Sequence, residues 1–274
     1  MTAMSASLAK STFTNSSARV VSWIVALALV LATALGAAAA ELTADEILAE
    51  LEGTAFVGSG SATIELVTIN ARGQERSNRL AFYRQETPHG ANQLLEYLSP
   101  ADVAGTKFLT VDDESGETLM WLYLPALGRE RRIAGSATQD NFMGTDFTYE
   151  EIGSIGTFTK DYDAERLADE TYQDVENYVL RLEPHSADSK YSFVKMWVWK
   201  EHFIPLRVEF YNRQGDLEKV LVNEDVRPTS QGRWQPHLIT MRSETTGSRT
   251  IIRVLETSDE PVPDEYFTLR YLRR

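Results

Sequence analysis

From residue 59 onward, apolar and polar positions alternate in runs of about 6 to 12 residues, each closed by Gly, Pro, Asn, Asp or Ser, which is the pattern of strands joined by tight turns. Gly73 divides a strand predicted over 62–69 from one over 78–85, and Pro88, His89 and Gly90 precede one over 93–98. Ser115 and Gly116 separate 106–111 from 118–124, a hairpin signal. Strands over 178–182 and 193–199 follow. Gly215 then divides 206–211 from 217–223, and Thr246 and Gly247 divide 237–243 from 250–256. The spacing predicts about 10–11 strands, mostly antiparallel neighbours, which suits one large curved sheet or barrel better than a small sandwich. Ahead of them, Thr43 and Glu46 stand at capping-box spacing and Ile47, Leu48 and Leu51 precede Gly53, predicting a helix of about two turns.

The alternation also shows which faces are wet. Leu206, Val208 and Phe210 alternate with Arg207, Glu209 and Tyr211, and Leu80 and Phe82 stand among Arg79 and Arg84, so these strands have one apolar face. Two strands differ. Leu119, Trp121 and Tyr123 oppose Met120, Leu122 and Leu124, while Phe193, Trp197 and Trp199 oppose Val194, Met196 and Val198. Both of their faces require cover, from a helix, a loop such as 133–163, another sheet or an apolar ligand.

The first 40 residues follow another rule. A polar stretch with Lys10 and Arg19 leads into an apolar run over 20–35, and Ala38, Ala39 and Ala40 supply small residues before Glu41. This is the order of a secretory signal peptide cleaved after Ala40; the run is slightly short for a retained anchor. Two domains of the sequence are therefore expected, a signal peptide over 1–40 and one folded domain over 41–274. The chain carries a net charge of -13, and residues 1–40 hold two basic and no acidic side chains, so the remainder carries -15. Such a balance offers no footprint for phosphate backbones, and nucleic acid is excluded as a partner. With no cysteine, lipid attachment to a thiol is excluded and an exported domain must rely on its core, as in a bacterial periplasm.

The segment after residue 120 is the most informative. It reads Trp121-Leu-Tyr-Leu-Pro125, then Arg131-Arg-Ile133, then Asn141-Phe-Met-Gly-Thr-Asp-Phe-Thr-Tyr-Glu-Glu-Ile152. This stretch resembles the outer-membrane lipoprotein-sorting family of LolA-like periplasmic proteins. Further matches are the Leu98-Ser-Pro-Ala-Asp-Val-Ala-Gly-Thr106 run, the hairpin from Trp199 through Pro205, Arg207 and Tyr211 to Gly215, the trio Gly232, Trp234 and Pro236, and the run from Val262 to Phe267. Together they span about residues 45 to 274, specific as a whole and weak in any one piece. The resemblance implies a mainly β fold, a single curved antiparallel sheet or unclosed barrel whose short helices and loops cover a hydrophobic cavity. It also implies a carrier of lipids or lipoprotein acyl chains across the periplasm, partnered by an inner-membrane lipid exporter or an outer-membrane acceptor.

On that expectation the cavity is lined by Leu80, Phe82, Trp121, Tyr123, Trp197, Val208, Phe210 and Leu221. The aromatic faces of the two doubly apolar strands are assigned inward because large flat side chains tolerate a disordered chain ligand. Phe142, Met143, Phe147 and Tyr149 are placed over the mouth, with Met143 adaptable there and Gly144 permitting a sharp turn. Arg129, Arg131 and Arg132 concentrate three positive charges between Pro125 and this lid. They are candidates for gripping an anionic head group or for latching the lid, against a plainer reading as solvated loop charges paired to carboxylates.

Signals for catalysis, metals and cofactors are thin. His89, His185, His202 and His237 have no zinc spacing and read as solvated loop residues. Gly58-Ser-Gly60 lacks the pattern of a dinucleotide loop or a nucleophile elbow. The groups Asp112, Asp113, Glu114 and Asp161, Asp163, Glu165 lack an EF-hand frame. No catalytic residue, metal ligand or cofactor is assigned, and a non-enzymatic carrier is the reading. A lipid-modifying hydrolase with an unrecognised site, and a structural envelope protein with a filled core, remain the alternatives.

Overall fold

Period-two alternation in the sequence becomes period-two burial in space. Along β1 (Gly60–Ile69), Ala62, Ile64 and Leu66 are buried while Thr63 and Glu65 between them are half exposed. The computed structural model describes residues 41–53, 59–153, 161–187, 189–229 and 232–274. The expected signal peptide over 1–40, and Gly58 of the glycine turn, lie outside the described residues.

Two meanders build the sheet. In the first, β1 is followed by β2 (Glu75–Thr87), β3 (Gly90–Ser99), β4 (Lys107–Asp112), β5 (Thr118–Leu124) and β6 (Arg129–Ile133), each antiparallel to the last. The second runs from β9 (Val175–Pro184) through β10 (Tyr191–Trp199), β11 (Ile204–Asn212), β12 (Leu217–Pro228) and β13 (Trp234–Ser243) to β14 (Arg249–Ser258). They join where β1 pairs with β14, from Ser61 opposite Ser258 to Ile69 opposite Arg249. Two short strands, β7 (Tyr162–Arg166) and β8 (Glu170–Tyr172), share the outer side of β9. The result is one antiparallel sheet of 14 strands whose ends, β6 and β7, do not pair with each other.

All eleven predicted strands are present, and the count of 10–11 is corrected to 14. The three additional strands are β6, β7 and β8. Each is short and lies at a sheet edge, and β6 reads Arg-Glu-Arg-Arg-Ile with only Ile133 buried. Charge on an edge strand keeps it from pairing with other chains, and it also erases the alternation by which a strand is recognised.

After β6, residues 134–153 cross the concave face as a lid. Within it lie two 3-10 turns, Gly135–Gln139 and Phe142–Gly144, and the short helix Tyr149–Gly153. Phe142, Phe147, Tyr149 and Ile152 are buried against side chains of β1 to β5 and of β13 and β14. Met143 and Gly144 both take left-handed conformations, at φ 47° and 77°, which makes the turn sharp enough to point Phe142 and Phe147 inward together. Gly153 brings the helix against the sheet, where a Cβ would meet the Met120 side chain at 2.6 Å.

The predicted N-terminal helix is α1 (Ala44–Gly53), and the lid helix is α2 (Tyr149–Gly153). In the α1 capping box the Thr43 amide donates to Glu46 Oε2 at 2.8 Å and the Glu46 amide donates to Thr43 Oγ1 at 3.3 Å. The convex face has its own cover. A 3-10 turn at Asp264–Phe267 and the last helix, α3 (Leu269–Leu272), lay Phe267 and Leu272 on Leu94 and Leu109, with Trp121, Tyr123 and Tyr83 alongside. This tail accounts for the second apolar face of β5.

Candidate ligand-binding cavity

The sheet curls far enough for strands from both meanders to wall one space. Ile64 and Leu66 of β1, Leu80 and Phe82 of β2 and Leu95 of β3 face Val208 and Phe210 of β11 across a cavity of about 220 Å³. Leu221, Ile239, Met241 and Ile252 complete its wall, and Phe142, Phe147, Ile152 and Leu51 of α1 cover it. Register shifts at Thr63/Ile64, Arg79/Leu80 and Phe210/Tyr211 interrupt the ladder at these strands; such bulges sharpen the local bend of a strand.

Two kinds of contact hold the lid, and a capping box orders it. Phe142 packs its ring 5.2 Å from Phe108, 5.4 Å from Tyr149 and 6.4 Å from Tyr97. Asp146 accepts from the Thr250 hydroxyl at 2.7 Å and from the Ser248 hydroxyl, while its amide donates back to Thr250 Oγ1 at 2.8 Å. Thr148 and Glu151 form a capping box that starts α2.

One end of the cavity is polar. Glu151 bonds the Lys219 ammonium at 3.1 and 3.2 Å and accepts from the Tyr191 hydroxyl at 2.5 Å. Burial pulls the Lys219 ammonium below its ordinary range while Glu151 opposes the shift. Burial, then Glu151, push the Tyr191 phenol far up, so it is a firm donor. Glu150 accepts from Gln139 and Thr138, and burial, reinforced by Asp161, raises its carboxyl above the usual carboxylate range. Among the described residues, no group of three or more His, Asp and Glu side chains could hold a metal ion.

A family model whose description reads "-like: Uncharacterized protein" matches residues 90–274. A Vibrio parahaemolyticus domain named for outer membrane lipoprotein sorting superposes with a TM-score of 0.79, at 29% identity over 84% of this chain and 98% of its own. A LolA superfamily protein from Nitrosomonas europaea superposes at 0.68, with 23% identity over 84% of this chain and 99% of its own. The chain belongs to the matched family, and its fold is LolA-like. A DUF1329 family protein from Desulfovibrio piger shares the LolA-like fold at a TM-score of 0.77, with 24% identity over 84% and 97% of the two chains. No curated protein matches the sequence significantly.

The LolA-like frame shows where each expected side chain sits. Leu80, Phe82, Val208, Phe210 and Leu221 border the cavity, as do Phe142 and Phe147 of the lid. Met143 is half buried against the same apolar cluster, and Tyr149 is buried between Phe108 and Phe142. Three lie elsewhere. Trp121 and Tyr123 point to the convex face under the C-terminal tail, and their neighbours Met120 and Leu122 point inward. Trp197 is also on the convex side, where its indole donates to Glu170 at 2.8 Å, because Met196 is the residue opposite the cavity-lining Val208. The aliphatic faces, not the aromatic ones, turn inward on β5 and β10.

The arginine cluster is on an edge strand and not on a loop, so alternation divides it. Arg129 and Arg131 stand opposite Leu124 and Leu122 and share their face. Arg131 acts on the Tyr149 phenol of the lid, whose ionisation burial drives upward and the nearby guanidinium draws back. Arg132 faces the other way, 3.4 Å from Glu117. His202 also departs from the expected solvated loop: its ring stacks on Trp234 and meets Trp199 edge-on, with centroids 4.3 Å away in each case.

Sequence reasoning missed the polar end. Lys219 stands opposite Phe210 and two residues from Leu221, so the alternation that put Leu221 on the wall already placed Lys219 on the same face. Nothing in the spacing brings Glu151 or Tyr191 to it.

Proposed function

We propose that this protein is a periplasmic carrier that holds a lipid, or the acyl chains of a lipoprotein, in the LolA-like cavity and moves it between membranes or to a transporter. The observation that carries this reading is an apolar space walled by both halves of one sheet and roofed by another segment of the same chain. Exposing an acyl chain costs about 0.8 kcal/mol per methylene, so a long chain does not cross water unaided. The Vibrio relative's name supports the same use. An inner-membrane lipid exporter or an outer-membrane acceptor is the partner such a carrier requires, and the apolar run over 20–35 with Ala38–Ala40 supports export and cleavage after Ala40.

Organic extraction of protein purified from the periplasm, followed by mass spectrometry, tests the reading. The expected result is a lipid bound in near-stoichiometric amount and chemically unchanged after incubation. A protein that yields no lipid and takes up no fluorescent fatty acid overturns the carrier, and turnover of the bound lipid makes the protein an enzyme.

A further inference from the structure

An ion pair on the wall of a lipid-binding cavity asks for a reason. Lys219 rises from β12 on the cavity side, 4% exposed, and its partner Glu151 is 13% exposed. A buried pair of this kind adds little net stability, because desolvation consumes most of the attraction; removing one partner strands the other and is costly. The sheet supplies an ammonium and a phenol, Tyr191 lining the cavity and Lys219 next to the lining on the same face, and the lid supplies the carboxylate that bonds both. Any carboxylate that arrives with its own apolar chain satisfies the wall as well as Glu151 does.

We propose that Lys219 and Tyr191 form the head-group subsite of the cavity, that the ligand is an amphiphile with a carboxylate head, of the long-chain fatty acid class, and that Glu151 fills this subsite as a tethered stand-in while the lid is shut. The proposal rests on the carrier reading and names its ligand class. The exchange keeps the charges balanced: Lys219 trades one carboxylate for another, and Glu151 takes its charge to water on a five-residue helix. Burial of the ligand's chain drives the exchange. In the reverse direction Glu151 returns at the high effective concentration of a tethered group and expels the head. Glu150 and Glu218 stand near the subsite and Lys190 beside Glu218; this surplus of negative charge favours a singly charged head over a doubly charged phosphate.

Titration of the purified full chain domain with pyrenyl-hexadecanoic acid and with its methyl ester tests the subsite. In Glu151→Gln, which removes the stand-in, the acid should bind about 10–100-fold more tightly than the ester, the worth of a buried charged hydrogen bond; in the unaltered protein, where the acid must displace Glu151, the gap should be smaller. Lys219→Met should bring the two probes level, Tyr191→Phe should narrow the gap, and Glu151→Gln should tighten the acid and leave the ester within about two-fold. Equal binding of acid and ester by Glu151→Gln, or weaker binding of the acid by this variant than by the unaltered protein, overturns the subsite while leaving the carrier standing. Binding of neither probe overturns the carrier itself. If Lys219→Met does not fold, the acid-to-ester ratio of the unaltered protein and of Glu151→Gln decides.

Discussion

Phe142→Ala measures how far the lid is a separate part of the fold. The ring is 1% exposed and touches three other aromatic rings. A phenylalanine buries ~150–250 Å², which at ~25 cal/mol per Å² sets an upper bound of ~4–6 kcal/mol. Core Phe→Ala changes cost ~3–5 kcal/mol, and the low end is the conservative figure. A loss of ~3 kcal/mol is about a 100-fold change in an equilibrium. If the lid opens by itself, the whole of that change falls on its opening. Native-state hydrogen exchange reads this from the amides of Phe142 and Tyr149, bonded to Phe147 O at 2.7 Å and Asp140 O at 3.1 Å. Their protection should fall about 100-fold while sheet amides in β1 and β14 keep theirs. Equal loss in lid and sheet would refute an independently moving lid.

Phe210→Asp should abolish fatty-acid uptake, and Trp121→Ala should leave it within about two-fold while loosening the C-terminal tail; fluorescence titration of both, with folding checked by circular dichroism, reverses the expected order if the aromatic face of β5 lines the cavity. Asp146→Ala leaves Ser248 and Thr250 without their acceptor and should cost ~1–3 kcal/mol, seen as faster proteolytic cutting within 134–153; unchanged cutting would mean that the aromatic contacts alone hold the lid. Glu150 has a carboxyl raised above its unfolded value, so it favours folding most below the ordinary carboxylate range and loses that contribution as pH rises through the raised value. Glu150→Gln should therefore gain urea resistance over the parent at pH 7 and lose the advantage near pH 4; an equal difference at both values refutes the assignment.

Strand positions were legible because a strand with one wet face writes its period into the sequence, as β11 does with Leu206, Val208 and Phe210. β6 was not, since an edge strand needs burial at only one of its residues, Ile133. The inward face of β5 was undecidable by period alone. Tyr266, Phe267 and Leu272, about 150 residues further on, supply the convex cover that leaves Met120 and Leu122 for the cavity. Long-range cover of this kind leaves no local trace. The polar end was half legible: parity placed Lys219 on the cavity side, but the lid that brings Glu151 to it is irregular chain, where no period operates.

The seam between β1 and β14 sets the order in which the protein can be made. β1 is the first strand to appear from the ribosome and β14 the last, yet they are neighbours at the centre of the sheet. Each meander can zip by local hairpins, but the pair cannot close until residue 258 of 274 has been synthesised. Until then β1 and β13 each present an unpaired edge, and the cavity wall lacks its middle. A chain so arranged stays unfinished through most of translation, which suits the export proposed above.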